Sequence, residues 1–62
     1  METYAILSAP DADGKVSVKR VSDGMVSRCK SSWLSPVSPN VFQAASRTKA
    51  IRLEGLEWST EG

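Results

Sequence analysis

The sequence predicts a small, mostly-β or α+β protein built around an antiparallel meander, with its elements in the order β-β-β-α-β. Two observations predict this fold class. In the first half, short runs rich in strand-forming residues are separated by clusters of turn residues. Further along, a stretch of good helix formers follows a proline-containing segment. A small barrel of SH3-like shape is the alternative architecture.

The chain length limits how the protein is stabilised. Its 62 residues suffice for one domain, which we place at positions 1–62. A domain of this size buries only about 60% of the surface that its unfolded chain exposes. With Cys29 as the one cysteine and no histidine, the sequence predicts neither an internal disulfide nor a metal site or other cofactor. The remaining routes are a well-packed core or assembly, as a homo-oligomer or within a larger complex.

The first half of the chain predicts three strands. Residues 3–9 are rich in strand formers, and residues 10–14 form a dense cluster of turn residues. Residues 15–22 alternate as a second strand. The dipeptide at 23–24, Asp-Gly, suits a two-residue type I′ turn, in which both central residues have positive φ. We therefore predict a tight hairpin over residues 15–33.

The second half predicts a loop, a helix and a closing strand. Residues 35–40 contain two prolines and are predicted to be a loop. Residues 41–49 are predicted to form a short helix, or an irregular crossover in its place. Residues 50–59 return to strand character, and Gly55 within them predicts a bulge or a sharp bend.

The predicted turn fixes how the two hairpin strands pair. It places Lys19 opposite Arg28 on one face, and Val18 opposite Cys29 on the other. Because side chains alternate along a strand, the apolar face holds Val16, Val18, Met25, Cys29 and Trp33, with Arg20 near its edge. The opposite face is a basic patch that carries Lys15, Ser17, Lys19, Arg28 and Lys30, with Val21 and Val26 near the turn.

The net charge of +1 conceals a separation of charge along the chain. All eight cations lie between positions 15 and 52, where Asp23 is the only acid. The other acids lie toward the two ends. Two interpretations stay open: the basic middle binds an anionic partner, or the acidic ends neutralise it within the fold. For the basic patch itself, the corresponding alternatives are solvated side chains and a site for phosphate or an acidic protein surface.

Several other residues have both a structural and a functional interpretation. Cys29 is predicted to be a small apolar core residue. The aromatic residues are predicted to supply the core, namely Tyr4, Trp33, Phe42 and Trp58. Trp58, close to the chain end, is the one expected to be partly exposed and to contribute to an interface. A further group of cations either extends the basic patch or forms the solvated side of the last two elements: Arg47, Lys49 and Arg52.

Enzymatic function is not expected. The chain has no histidine for acid–base chemistry near neutral pH and no glycine-rich phosphate-binding loop. A signal peptide is not evident after Met1, and no stretch approaches the roughly 20 apolar residues of a membrane span. We therefore expect a cytoplasmic protein with no membrane partner.

Two functional hypotheses follow. The first is a small non-enzymatic binding module whose basic hairpin face engages an anionic macromolecule, most simply nucleic acid, otherwise an acidic protein surface. The alternative is a protein–protein interaction module, such as an inhibitor, adaptor or structural subunit of the size that phages and mobile elements often encode. Such a module would act through an exposed strand edge, Trp58 and the acidic ends.

Overall fold

The computed structural model describes residues 2–60. Within them are five strands and a C-terminal helix, and a turn of 3-10 helix at Ser31–Trp33 joins the third strand to the fourth. The elements are β1 (Tyr4–Ile6), β2 (Lys15–Arg20), β3 (Val26–Lys30), β4 (Leu34–Ser38), β5 (Val41–Ala44) and α1 (Arg47–Glu54).

The strands form one antiparallel sheet in the order β3-β2-β1-β5-β4. This confirms the predicted fold class, a small mostly-β or α+β protein with an antiparallel meander. The sheet is open, with β3 and β4 as its two edges, so it is not a closed barrel. The order of elements differs from the prediction, because a fifth strand occupies the place of the expected helix and the helix follows it.

The core lies between one face of the sheet and α1. Its buried residues come from four strands and the helix: Tyr4, Val16, Val18, Cys29, Leu34 and Leu53. Partly buried apolar residues pack around them: Ile6, Trp33, Phe42, Ala44, Leu56 and Trp58. The apolar assignments of Cys29 and of the four aromatic residues are therefore confirmed, with Tyr4 fully inside and the other three at the margin.

The turn between β2 and β3 is longer than the predicted two-residue turn. Residues 21–24 form it, since the Arg20 N–H donates to the Met25 carbonyl at 2.7 Å. A type I′ turn needs two central residues with positive φ, and within this turn only Gly24 has one. Asp23 instead uses its carboxylate, which accepts from the Met25 N–H at 3.1 Å and from the Arg20 guanidinium at 2.7 Å. These side-chain bonds favour the wider loop.

The longer turn shifts the strand pairing by two residues. The predicted pairs of Lys19 with Arg28 and of Val18 with Cys29 are wrong. The observed pairs are Lys15–Lys30, Val16–Cys29, Ser17–Arg28, Val18–Ser27 and Lys19–Val26. Because the side-chain period is also two, this shift leaves each residue on its predicted face. The separation into an apolar and a basic face therefore holds, although the neighbours across the strands change.

The prediction of a loop over residues 35–40 is wrong for most of that segment. It belongs to β4, which pairs with β5 despite containing Pro36. Proline has no N–H to donate, but β4 is an edge strand with one side unpaired in the sheet, so Pro36 is tolerated. The pairing shifts register between Pro36 and Ser38. The chain then reverses at Asn40, whose φ of 68° lies in the left-handed region that asparagine tolerates.

The helix begins later than predicted. Residues 41–49 do not form one helix, because β5 occupies their first half. The helix starts after Ser46, whose hydroxyl accepts the Lys49 N–H at 3.2 Å as an N-cap. This cap satisfies one of the backbone donors that a helix leaves unpaired at its start.

The prediction of a strand over residues 50–59 is also wrong. The alternation of Ile51 with Leu53 favours a strand, but Leu53 is 0% exposed whereas Ile51 is 66% exposed. Two residues that share one face of a strand lie on different sides of a helix. Gly55 ends α1 rather than forming a bulge. In the part of the chain that the structure describes, no helix has the length and apolar character needed to cross a membrane.

Candidate functional site

The outer face of the β2–β3 hairpin is the candidate site. We define it by the side chains that point away from the core: Lys15, Ser17 and Lys19 of β2 with Arg28 and Lys30 of β3. The alternating partners Val16 and Val18 are both 0% exposed, so the core face of the same strands is fully covered. The outer face therefore contains the four cations of the predicted patch and no carboxylate from either strand.

Two lysines lie directly opposite each other at one end of this face. Lys15 pairs with Lys30 across the strands, and both side chains are exposed. Cα atoms of such antiparallel pairs are only about 4.5–5.5 Å apart. Like charges in this position destabilise a sheet, although salt screens exposed charges. The pair concentrates positive charge at one place on the surface.

Arg28 lies next to this pair and is held by two neighbours. Its guanidinium donates to the Ser17 hydroxyl at 3.2 Å and to the Asp11 carboxylate. Asp11 is itself fixed by the loop, since its Oδ1 accepts the N–H groups of Asp13 at 2.8 Å and Lys15 at 3.0 Å. Asp11 therefore places one carboxylate at the margin of the outer face.

These contacts lower the pKa of Asp11. The hydrogen bond from the Lys15 N–H is the largest cause, and the bond from Asp13 and the charge of Arg28 act in the same direction. Asp11 therefore stays ionised at neutral pH and partly neutralises Arg28. Because both side chains are exposed, solvent screens this ion pair.

The C-terminal segment covers the free edge of β3 near its start. Ser59 exchanges two backbone hydrogen bonds with Val26, at 2.8 and 3.0 Å, and the Ser27 hydroxyl donates to the Glu57 carbonyl at 2.9 Å. A groove of about 550 Å³ runs beside this contact, and its lining includes Arg28 and Glu57. One acid of the C-terminal end thus reaches the margin of the outer face. Glu61 lies outside the described residues.

Trp58 belongs to a different cluster, on the core side of the sheet. Its ring stacks on Tyr4 with centroids 5.8 Å apart, and the Arg20 guanidinium lies 4.6 Å from its centroid. The indole N–H donates to the Leu53 carbonyl at 2.9 Å. The hydrogen bonds that the Arg20 guanidinium donates to the Asp23 carboxylate raise the pKa of Arg20 and lower that of Asp23. Trp58 is half-buried and fixed by these contacts.

The remaining predicted interface cations do not adjoin the outer face. Arg47, Lys49 and Arg52 lie on α1, which packs on the core face of the sheet through Leu53. The Lys49 ammonium lies 5.5 Å from the centroid of Trp33. These cations therefore do not extend the basic patch, because the sheet separates them from the hairpin's outer side.

The structure brings together all four predicted anion-binding residues, and it adds contacts that the sequence did not indicate. The role of Asp11 was missed because it depends on a contact across 17 positions of the chain. Cys29 is buried, and burial raises the pKa of its thiol, so it is not an activated nucleophile. Between residues 2 and 60, no three metal-ligating side chains are grouped closely enough to hold an ion.

Comparison with known proteins gives no further information. No family model, curated protein or solved structure matches this chain.

Proposed function

We propose that this protein binds nucleic acid through the outer face of its β2–β3 hairpin, mainly by contacts to backbone phosphates. The observation that supports this most is the direct pairing of Lys15 with Lys30 beside Arg28. The three cations project from two adjacent strands on a side of the sheet that α1 does not cover. An anion placed between Lys15 and Lys30 relieves their mutual repulsion.

The shape of the hairpin supports the same proposal. A two-stranded ribbon fits into the major groove of a duplex, and basic side chains on it reach the phosphates on either side. Phosphate contacts position a protein on nucleic acid without reading its sequence. We therefore propose binding with little sequence preference.

The test is a salt titration of binding to a labelled 16-base-pair duplex, followed by fluorescence anisotropy. With three phosphate contacts, the logarithm of affinity falls against the logarithm of salt with a slope of about −3. Affinity then drops roughly 40-fold between 50 and 200 mM salt. The double variant Lys15→Gln/Lys30→Gln removes two contacts, and its slope falls to about −1.

A matched control is Arg52→Gln, which removes one positive charge from the exposed side of α1. If the outer face is the binding site, the duplex affinity of this variant and its salt dependence should stay near those of the unmodified protein. Polyglutamate serves as a second probe, because an acidic protein surface offers carboxylates rather than phosphates. Absence of duplex binding at 50 mM salt, or equal losses in the double variant and in Arg52→Gln, contradicts the proposal.

The second candidate function, a protein-interaction module, is supported by β4. This strand is an edge of the sheet, most of it is exposed, and Val37 is 53% exposed. Exposed edges accept a further strand from another chain. Pro36 interrupts the donors of that edge, which weakens this route. Binding of a partner protein that barely responds to salt and is lost in Val37→Asp favours this candidate over the first.

A further inference from the structure

A second concave site lies on the side of the sheet that α1 covers. It is a cavity of about 530 Å³ between the start of β1, the end of β5 and α1. Ala44 and Ala50 supply apolar lining, and three charged residues line it as well: Glu2, Arg47 and Glu54. This volume falls within the range of about 300–1,000 Å³ that is typical of small-ligand sites.

The charges of the helix are distributed along this cavity. Arg47, Ala50 and Glu54 are three and then four residues apart, so they form one stripe along α1. With a rise of about 1.5 Å per residue, the two ends of the stripe are about 10 Å apart. The cavity therefore has a cation at one end, where the helix begins, and a carboxylate at the other, where it ends.

Both charges have the sign that is unfavourable for the helix itself. The N-terminus of a helix carries partial positive charge and its C-terminus partial negative charge. Arg47, at the first helical position, therefore lies near partial positive charge, and Glu54, at the last, lies near partial negative charge. Neither forms an ion pair with another residue of the described chain, and the same holds for Glu2. Helix stability does not explain this arrangement.

Tyr4 provides an independent observation. It lines the same cavity and is only 2% exposed, yet its hydroxyl has no hydrogen-bond partner within residues 2–60. Since no fully enclosed side-chain oxygen or nitrogen lacks a partner across this described part, the hydroxyl keeps some contact with solvent, on a side chain that lines the cavity. Burial raises the pKa of Tyr4, and the charges of Glu2 and Glu54 raise it further, whereas the charge of Arg20 acts in the opposite direction. The hydroxyl thus stays protonated near the carboxylate end.

These features define the ligand by its charges and length. Its anionic end would accept hydrogen bonds from Arg47 and the free N–H groups at the start of α1. Its cationic end would lie near Glu2 and Glu54, about 10 Å away. Three residues of extended peptide span about 10 Å. We infer that this cavity binds a short zwitterionic peptide of about three residues, with its carboxylate at Arg47 and its ammonium at Glu54.

This inference is independent of the proposed nucleic-acid function. The cavity is lined by β1, β5 and α1, whereas the outer face belongs to β2 and β3. Either site can be disabled without changing a residue of the other. A negative result at one therefore leaves the other unaffected.

The test uses trialanine as the probe, with binding followed by chemical-shift changes of backbone amides in two-dimensional NMR. We expect saturable shifts at Ser46, Ala50 and Glu54, with a dissociation constant on the order of 0.1–1 mM for a ligand of this size. Trialanine with both ends blocked, by acetylation and amidation, should bind at least tenfold more weakly. The single amino acid alanine, which cannot span the two ends, should also bind at least tenfold more weakly.

Two variants assign the ends, and a third tests the Tyr4 hydroxyl. Glu54→Gln should reduce the preference for trialanine over its N-acetylated form, and Arg47→Gln should reduce the preference for trialanine over its amidated form. Neither substitution should lower thermal stability. Tyr4→Phe keeps the ring beside Trp58 and should weaken binding about two- to tenfold. Glu57→Gln, outside the cavity, is the matched control and should bind normally. Lack of saturation at 10 mM trialanine, equal binding of the blocked peptide or of alanine, or unchanged binding by all three variants overturns the inference.

Discussion

The two faces of the β2–β3 hairpin differ completely, although the same two strands form both. On the core face, Val16, Val18 and Cys29 are buried beneath α1. On the outer face, four of the six strand residues are cationic, and the other two are Ser17 and Val26. The alternation of a strand therefore lets one short segment contribute to stability and to surface charge through different residues. Substitutions on the two faces should accordingly have separable effects on folding and on binding.

The largest expected effect is a loss of stability when a buried residue of α1 is truncated. Leu53→Ala should lower the free energy of unfolding by about 2–5 kcal/mol, since it removes a fully buried side chain. In a domain this small, such a loss is a large part of the total stability. Ile51→Ala on the same helix should change stability by no more than about 0.5 kcal/mol, because Ile51 is exposed.

Urea denaturation followed by circular dichroism measures both variants. Because the contrast between Leu53 and Ile51 depends on a helix at this position, it also tests the α1 assignment. Equal losses in the two variants would indicate that both side chains face the core, as they would in the strand that the sequence alone suggested.

Next in size is a change that separates binding from stability on the outer face. Lys15→Glu places opposite charges at the Lys15–Lys30 pair and should raise the free energy of unfolding by about 0.2–1 kcal/mol. If Lys15 contacts phosphate as proposed, the same substitution should weaken duplex binding at least tenfold at 50 mM salt, because a carboxylate replaces that cation. A variant that is less stable, or that binds as well as the unmodified protein, would contradict the account.

A smaller effect is expected at Asp11, where a substitution should raise duplex affinity rather than lower it. Asp11→Asn keeps an oxygen that accepts the Asp13 and Lys15 N–H groups but removes the charge beside Arg28. Duplex affinity at 50 mM salt should rise roughly threefold, since Arg28 is no longer partly neutralised. Anisotropy titrations of the two proteins side by side measure it, and an unchanged or lower affinity would show that Arg28 takes no part in binding.

The smallest expected effect is on how the free energy of unfolding depends on pH, through Cys29 on the core face. Burial raises the pKa of the Cys29 thiol, so the folded state holds this proton more tightly than the unfolded state. The associated stability is present below about pH 8.5, the usual thiol pKa, and is lost as pH rises through the higher folded value. Between pH 8 and 10 the free energy of unfolding should fall, and Cys29→Ala should fall less steeply. Urea denaturation of the unmodified protein and of Cys29→Ala, each at pH 8 and at pH 10, measures this difference.

How far the sequence predicted the molecule depends on whether a feature was local. The two hairpin faces were predictable, because the alternation of Val16 and Val18 with lysines is independent of the exact turn. The pairing was not, because the Asp23 side chain forms hydrogen bonds that favour a wider loop. A shift of one residue would have inverted the faces, whereas the actual shift of two preserved them.

The helix and the second cavity show the limits more clearly. Ile51 and Leu53 fit a strand pattern as well as a helix pattern, and only the packing of Leu53 against the sheet distinguishes them. Position in the sequence also gave no indication that Glu2 and Glu54, at opposite ends of the chain, line one cavity with Tyr4. Such groupings arise from tertiary contacts, which a single sequence does not show.

We propose the outer face of the hairpin as the nucleic-acid-binding surface. The decisive experiment is an NMR titration with an unlabelled 16-base-pair duplex at 50 mM salt. We expect the amide shifts to concentrate at Lys15, Ser17, Arg28 and Lys30, to leave Arg47–Glu54 nearly unchanged, and to disappear at 300 mM salt. Shifts that centre on α1 or on β4, or that persist at high salt, would contradict the account.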